Sequence, residues 1–398
     1  MDAPAGQFSF SQLERIIFGP GKITEIAREL EACGTSRSLI VTGKSLGLSK
    51  LLDDVTAALG DRCAGVYRGV SQHVPNEAVR QLVAEAKRVD ADSLVSFGGG
   101  SPIDAAKVAV ACLIEGRDMV AEAGELEFER AVGVADRAPS VIQIAVPTTL
   151  SAGEFTPAGG TTNEKTHVKR GVLDPRIVPR VIIHDPALCV ETPDWLWAST
   201  GMRALDHAIE AIYSMRHQPF VDALVVQAIK LLIEHLPKSI STEGEESVAH
   251  RGHCQMASWF SIFGGMNTGF GLSHSLGHQI GPTWDVPHGV TSCITLPHAM
   301  RYMADIMPDR FDLIAEGLGV PFDAGKAKSG ALACADSVAE FIAGFDVPNS
   351  LEKAGVARDQ VGTIAGRVCD ELKAFPVIKR EIGLDDVTRI LDAAYEGY

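Results

Sequence analysis

A parallel α/β domain followed by an all-helical domain is the fold class this sequence predicts, and three observations predict it. Short apolar, β-branched runs alternate with helical patterns through the first half, as βαβ units do. Past about Pro193 such runs become rare, and apolar stretches of 3.6-residue period take over, as in ALDHAIEAIYSM (204–215) and ALVVQAIKLLIEHL (223–236). Finally, 398 residues with 46% hydrophobic and 22% charged side chains are enough to bury two cores. The boundary is read near residue 190, giving domains 1–190 and 191–398.

Taken in order, SLIVTG (38–43) reads as a strand and is followed by a helical stretch to about residue 60. SLVSFGGG (93–100) is a second strand running into glycines, and SPIDAAKVAVACLIEG (101–116) is its helix. VIQIAVPTT (141–149) is a third strand. In VPRVIIHDPAL (178–188) a fourth is ended by the turn-forming Asp185-Pro186. No internal repeat or low-complexity segment interrupts the chain.

Composition excludes several classes of function. Lys plus Arg is 36 and Asp plus Glu is 51, so the net charge is 36 − 51 = −15. No basic run offers phosphate contacts, so nucleic acid is not an expected partner. No stretch reaches the roughly 18 apolar residues that a membrane span requires. The opening MDAPAGQFSF has neither a basic nor an apolar leader region, so a cytoplasmic location is expected. The eight cysteines are scattered without a CxxC pair, and are read as reduced, buried thiols.

Two groups of residues carry chemistry. In Gly98-Gly99-Gly100-Ser101-Pro102-Ile103-Asp104, glycines follow a strand and open a helix. Glycine lets a ligand approach the backbone closely. Ser101 is placed as N-cap, Pro102 as the first helical residue and Asp104 as the third. The bare amides and positive dipole end of such a helix suit a pyrophosphate, although a tight helix-capping turn would look the same. The second group lies in the helical half. Arg203 and His207 are four apart in GMRALDHAIE, His274 and His278 repeat that spacing in HSLGH, and His288 follows in PHG. Residues four apart share a helix face. Clustered imidazoles serve as metal ligands or as acid/base groups. The remaining histidines are read as structural or surface residues.

With these motifs in this order, beginning at Phe18-Gly19-Pro20-Gly21 and running to about residue 300, the sequence resembles the iron-containing (group III) alcohol dehydrogenase family. That resemblance implies a Rossmann-like amino-terminal domain and a helical carboxyl-terminal one, the fold shared with dehydroquinate synthases. NAD(P) and a divalent metal would meet in the cleft between them, and a homodimer is the family expectation. The family holds its metal with an aspartate and three histidines, which here map to His207, His274 and His288. His278 would be the non-ligand histidine near the nicotinamide, a candidate proton donor. The aspartate position is occupied by Arg203, a permanent cation and no ligand. Asp206 lies about 100° around the helix from His207 and is read as a poor replacement. A metal-free site is therefore expected, with three histidines holding iron or zinc as the alternative.

A second departure is the loop Pro147-Thr148-Thr149-Leu150-Ser151-Ala152-Gly153-Glu154, one residue shorter before its glutamate than the family pattern. That loop and the run Asp174-Pro175-Arg176-Ile177-Val178-Pro179-Arg180 are similar to the maleylacetate reductase branch. The resemblance implies hydride transfer to the double bond of maleylacetate, giving 3-oxoadipate in aromatic-compound degradation. Arg203 would then anchor a carboxylate of this dicarboxylate, or stabilise the enolate. Cofactor contacts are implied for Gly43, Lys44, Gly98, Gly99, Gly100, Ser101, Asp104, Thr148, Thr149 and Lys169. Gly43 stands where the family often has an aspartate that selects NADH, and Lys44 is a candidate partner for a 2′-phosphate. Use of both NADH and NADPH is expected. A metal-dependent alcohol or aldehyde dehydrogenase, a dehydroquinate-synthase-like lyase and a non-catalytic relative are the competing readings.

Overall fold

A computed structural model describes residues 7–122, 140–165 and 169–398, the side chains of 121, 122, 169 and 170 excepted. It contains eight strands: β1 (Arg15–Phe18), β2 (Ser38–Gly43), β3 (Cys63–Val70), β4 (Ser93–Gly98), β5 (Ile142–Pro147), β6 (Ala158–Thr162), β7 (Lys169–Leu173) and β8 (Val181–His184). Six form one sheet in the order β1-β8-β5-β4-β2-β3, and every pairing in it is parallel. β6 and β7 pair antiparallel by themselves. Around the sheet lie α1 (Ile26–Ala32), α2 (Leu51–Leu59), α3 (Asn76–Arg88), α4 (Gly100–Glu115) and α5 (Met119–Glu122).

Both faces of this sheet are covered, which is why its central strands are apolar without alternation. Ile26 and Leu30 of α1 and Val55 and Leu59 of α2 pack on Phe97, Ile144, Val146 and Ile183. On the other face Val79 and Leu82 of α3 and Ala105 and Ala109 of α4 meet Leu39, Val41 and Leu94. Chain order runs outward from β2 to β3 on one side and from β4 through β5 to β8 on the other. The switch in direction falls between β2 and β4, the position at which open parallel sheets bind ligands.

The helical part consists of α6 (Asp194–Ile212), α7 (Pro219–Ser241), α8 (Gly244–Ile262), α9 (Gly265–Thr268), α10 (Leu272–Trp284), α11 (His288–Met303), α12 (Phe311–Leu318), α13 (Ala327–Ala343), α14 (Ala365–Ala374) and α15 (Leu384–Glu396). α6 is buried at every position from Trp197 to Ile212, so it is a core helix, polar residues included. Leu272, Leu276 and Ile280 of α10 form a core with Val290 and Ile294 of α11, Val368 of α14 and Leu391 of α15.

By internal contacts one compact unit spans Phe10–Thr192, and the other joins Pro193–Tyr398 to residues 7–9. The sequence reading gave residues 7–9 to the first domain, but Ser9 N donates to Asn267 Oδ1 at 2.7 Å and Phe8 meets Phe220 edge-on at 5.0 Å. Among the described residues no helix is long and apolar enough to cross a membrane.

Candidate functional site

In the sheet unit, the predicted cofactor residues gather at the carboxyl ends of neighbouring strands. Gly43 ends β2 and Gly98 ends β4, where Gly98 pairs with Pro147 of β5 just before Thr148 and Thr149. Thr148 N donates to Gly98 O at 2.9 Å, tying the two loops together. A Cβ on Gly99 would lie 3.0 Å from Thr149 Cγ2, and one on Gly100 would lie 3.3 Å from Ser151 Oγ. The glycines are there for that close approach, and Gly98 also needs its φ of 144°, which side chains rarely adopt.

The helix start differs from expectation. α4 begins at Gly100 with Gly99 as N-cap, and no side chain caps it. Ser101 is thus inside the first turn rather than its cap, because Gly98 turns the chain early enough for Gly100 to be helical. Pro102 still falls where a missing N–H costs nothing. Asp104 points to β6, where its Oδ2 accepts from Gly160 N at 3.3 Å. The uncapped first-turn amides fit a pyrophosphate. Lys44 is exposed just beyond β2. Lys169 lies on β7, and its side chain is outside the described residues; His167 is also outside them.

Lys107, three residues beyond Asp104 on α4, has a role the sequence does not assign. Lys107 is fully buried, and its ammonium donates to the carbonyls of Gly153, Thr156 and Ala158. It holds together the shortened loop that carries Glu154. Burial pushes its amine down to about 8, against the pull of Asp104 and Glu154.

In the helical unit the predicted histidines form a row. The rings of His207 and His274 are 4.8 Å apart, those of His274 and His278 6.3 Å, and those of His278 and His288 5.5 Å and parallel within 2°. α6 supplies Arg203 and His207, α10 supplies His274 and His278, and His288 opens α11. Gly289 lets α11 start against α6: a Cβ there would lie 2.8 Å from the carbonyl carbon of Ser199.

Arg203 is buried and donates from Nη1 to Ser292 Oγ at 3.2 Å, with Asp206 Oδ2 3.7 Å away. Ser292 is its one hydrogen-bond acceptor among the described residues. Burial pushes its guanidinium down to about 10, opposed by Asp206, Glu210 and Glu371, so it stays charged at neutral pH. The Arg203–Asp206 pair is internal, with both side chains buried.

Asp206 had been set aside as a ligand, and here the structure corrects the sequence reading. It is completely buried and accepts from Ser273 Oγ and Ser292 Oγ at 2.8 and 2.6 Å. Its Oδ1 lies 3.6 Å from His274 Nδ1. His274 Nδ1 donates to Glu210 Oε2 at 2.7 Å, and Glu210 also takes the backbone N–H groups of Gly271 and Ser273. Asp206, Glu210 and His274 therefore offer ligand atoms within 4.8 Å of one another. Burial and Arg203 push the His274 imidazole down, but Asp206 and Glu210 outweigh them and hold it above its usual value. His207 lies well below its usual value, through burial and its cationic neighbours.

This cluster fits a divalent cation. His274 Nε2 and His207 Nδ1 are buried without a hydrogen-bond partner. A histidine with one nitrogen tied to a carboxylate and the other bare is arranged as metal-ligating histidines are. Charge points the same way: three carboxylates (Asp206, Glu210 and Glu371) face one guanidinium, leaving 1 − 3 = −2 when the imidazoles are neutral. The metal-free site expected from Arg203 thus finds no support in the structure.

Two further residues were not flagged by the sequence. Glu210 lies seven residues after Arg203 on the same helix, so its helical period could have marked it. Glu371 accepts from His278 Nδ1 at 2.6 Å across 93 residues of sequence, and no local pattern announces it.

A glycine-lined sheet edge and an imidazole row, buried at His207 and His274 and half-exposed at His278 and His288, are what a dehydrogenase or reductase would use. Comparison with known proteins agrees. The model of iron-containing alcohol dehydrogenases matches residues 14–186, and that of the C-terminal part of the Fe-containing alcohol dehydrogenase family matches 197–395. The chain belongs to the iron-containing alcohol dehydrogenase family and is an oxidoreductase. It is 28% identical to maleylacetate reductase of Sphingobium indicum, covering 98% of each chain. It is 32% identical to 1,3-propanediol dehydrogenase of Citrobacter freundii, covering 90% of this chain and 91% of that one. Its fold is similar to the solved alcohol dehydrogenase from Oenococcus oeni, with TM-score 0.87 and 28% identity over 98% of this chain and 100% of the other.

Proposed function

We propose that the protein is an NAD(P)H-dependent reductase of an unsaturated oxo-dicarboxylate of the maleylacetate kind. The observation that carries this reading is Arg203: a buried guanidinium in the histidine row with one hydrogen bond made and donors to spare. Such a group suits a carboxylate or a developing enolate oxygen. Hydride from the dihydronicotinamide reaches the carbon–carbon double bond, and the electron pair moves onto the oxygen of the conjugated ketone. His278, with 39% of its side chain accessible, then gives a proton to the carbon beside that ketone. NAD(P)H and one proton are consumed, and the saturated oxo-diacid leaves.

Asp206, Glu210 and His274, whose ligand atoms lie within 4.8 Å of one another, would hold a divalent ion, which when bound would polarise the ketone as a Lewis acid. The nucleotide would lie on the glycine edge, and exposed Lys44 beside Gly43 leaves room for either ribose form.

The test is the initial rate of NADH and NADPH oxidation with maleylacetate, after chelation and again with Fe²⁺ or Zn²⁺ restored. Turnover with both nucleotides supports the reading. Activity only with short diols or alcohols would favour the second reading, a metal-dependent alcohol dehydrogenase, for which the 1,3-propanediol dehydrogenase likeness speaks. Arg203→Met should raise KM for the diacid roughly 10- to 100-fold, the range of one charged hydrogen bond, with Arg203→Lys recovering part of it. An unchanged KM would refute the anchoring role.

A further inference from the structure

We infer that Glu371 is the positioning residue for proton transfer: it fixes which nitrogen of His278 faces the reaction. The inference rests on the proposed role of His278 and adds a residue from a distant helix. His278 and Gln279 follow one another on α10, and both reach this single carboxylate of α14. His278 Nδ1 donates to Oε1 at 2.6 Å, and Gln279 Nε2 donates to Oε2 at 3.0 Å. Gln279 holds the second oxygen of Glu371 and only 14% of its side chain is exposed, so the imidazole is the partner it orients. The ring is fixed in plane by His288, stacked parallel to it at 5.5 Å.

A carboxylate accepts only, so His278 must keep its proton on Nδ1. Nε2 is then the one nitrogen left for exchange with substrate. In the reaction the imidazolium gives up its Nε2 proton to the enolate carbon, and the neutral ring remains as the Nδ1–H tautomer that Glu371 already holds. No reorientation is needed between turnovers, and the charge that appears on the ring during proton uptake is met by the carboxylate.

The test is Glu371→Gln, with Glu371→Asp as the conservative partner. In each, ¹⁵N-histidine spectra are recorded at pH 9, where an ordinary imidazole is neutral, and the His278 signals are assigned by their loss in His278→Asn. Wild type should show the Nδ1–H tautomer alone, and Glu371→Gln a mixture with Nε2–H. With whichever substrate the wild type turns over, kcat of Glu371→Gln should fall about 10- to 100-fold, the range for lost outer partners of functional histidines. KM should change less than about twofold, and Glu371→Asp should recover part of kcat.

A tautomer and kcat unchanged in Glu371→Gln would overturn the inference. So would a fall in kcat that follows loss of helix signal in circular dichroism while the tautomer stays as in wild type. The spectra need no substrate, so failure of the maleylacetate reading would leave this test standing.

Discussion

Gly289 offers the sharpest test of how the imidazole row is built. A Cβ at this position would lie 2.8 Å from both the carbonyl carbon and oxygen of Ser199 and 3.0 Å from Thr200 N. Ordinary carbon contacts are about 3.5–4.0 Å, so Gly289→Ala forces α11 away from α6 by about 1 Å. The obstacle is backbone on both sides and cannot rotate away, and overpacking of this kind costs about 1–3 kcal/mol. For a unit of this size each kcal/mol moves the thermal midpoint by about 2–4 °C, so a loss of roughly 2–12 °C is expected by circular dichroism. The same displacement moves His288 relative to His207, and an error of about 1 Å in a reacting constellation lowers turnover about 100-fold. A control is Gly366→Ala in α14, where a Cβ meets nothing within 4 Å. It should gain about 0.5–1 kcal/mol. Gly289→Ala with wild-type midpoint and turnover would refute the close approach of α11 to α6.

Two more outcomes follow from buried groups. Lys107→Met takes a donor from three carbonyls; Gly153 O and Ala158 O keep Thr156 Oγ1, while Thr156 O loses its partner at about 1–3 kcal/mol if it stays buried, so the urea midpoint should drop and Lys107→Arg should not restore it. His298 is pushed down to about 4 by burial, chiefly, and by Arg301. The unfolded chain binds a proton near 6.5 while the native one does not, so its stabilisation is full above pH 6.5 and is lost as pH falls toward 4. About 3 kcal/mol is at stake over that window, and His298→Gln should flatten the fall in unfolding free energy between pH 6.5 and 4.

The strands that were legible in the sequence and those that were not divide by position in the sheet. β2, β4, β5 and β8 lie inside it, are covered on both faces, and show as continuous apolar runs. β1 and β3 are its two edges, with exposed or half-exposed residues along them, and neither was read as a strand. An edge strand buries too little to imprint a pattern. The glycine- and cation-bearing β6 and β7 were missed for a similar reason. In the site, spacing of four within one helix made Arg203, His207, His274 and His278 visible together. Asp206 was misjudged because a helical angle from His207 ignores a second helix: α10 brings His274 to it from the side. Glu371 comes from a helix 93 residues beyond its partner and had no local trace at all.

Arg203 is more than a missing ligand. Where the resemblance would supply an aspartate, arginine changes the local charge by two units in a place closed to water. A lone buried charge costs several kcal/mol, yet Arg203 stays charged because Asp206 and Glu210 stand three and seven residues further along its own helix, with Glu371 added from α14. The helix that displays the cation therefore carries most of its compensation. Ser292 bridges Arg203 to Asp206, and Ser273 carries the network on to Thr295. With three carboxylates against one guanidinium, an arriving carboxylate adds negative charge to a cluster that already has an excess of it. A carboxylate-bearing substrate of the kind proposed would settle only together with positive charge, supplied by protons on the imidazoles or by one divalent ion. Charge balance across the whole cluster, and not the loss of one aspartate, decides whether this site works with a metal.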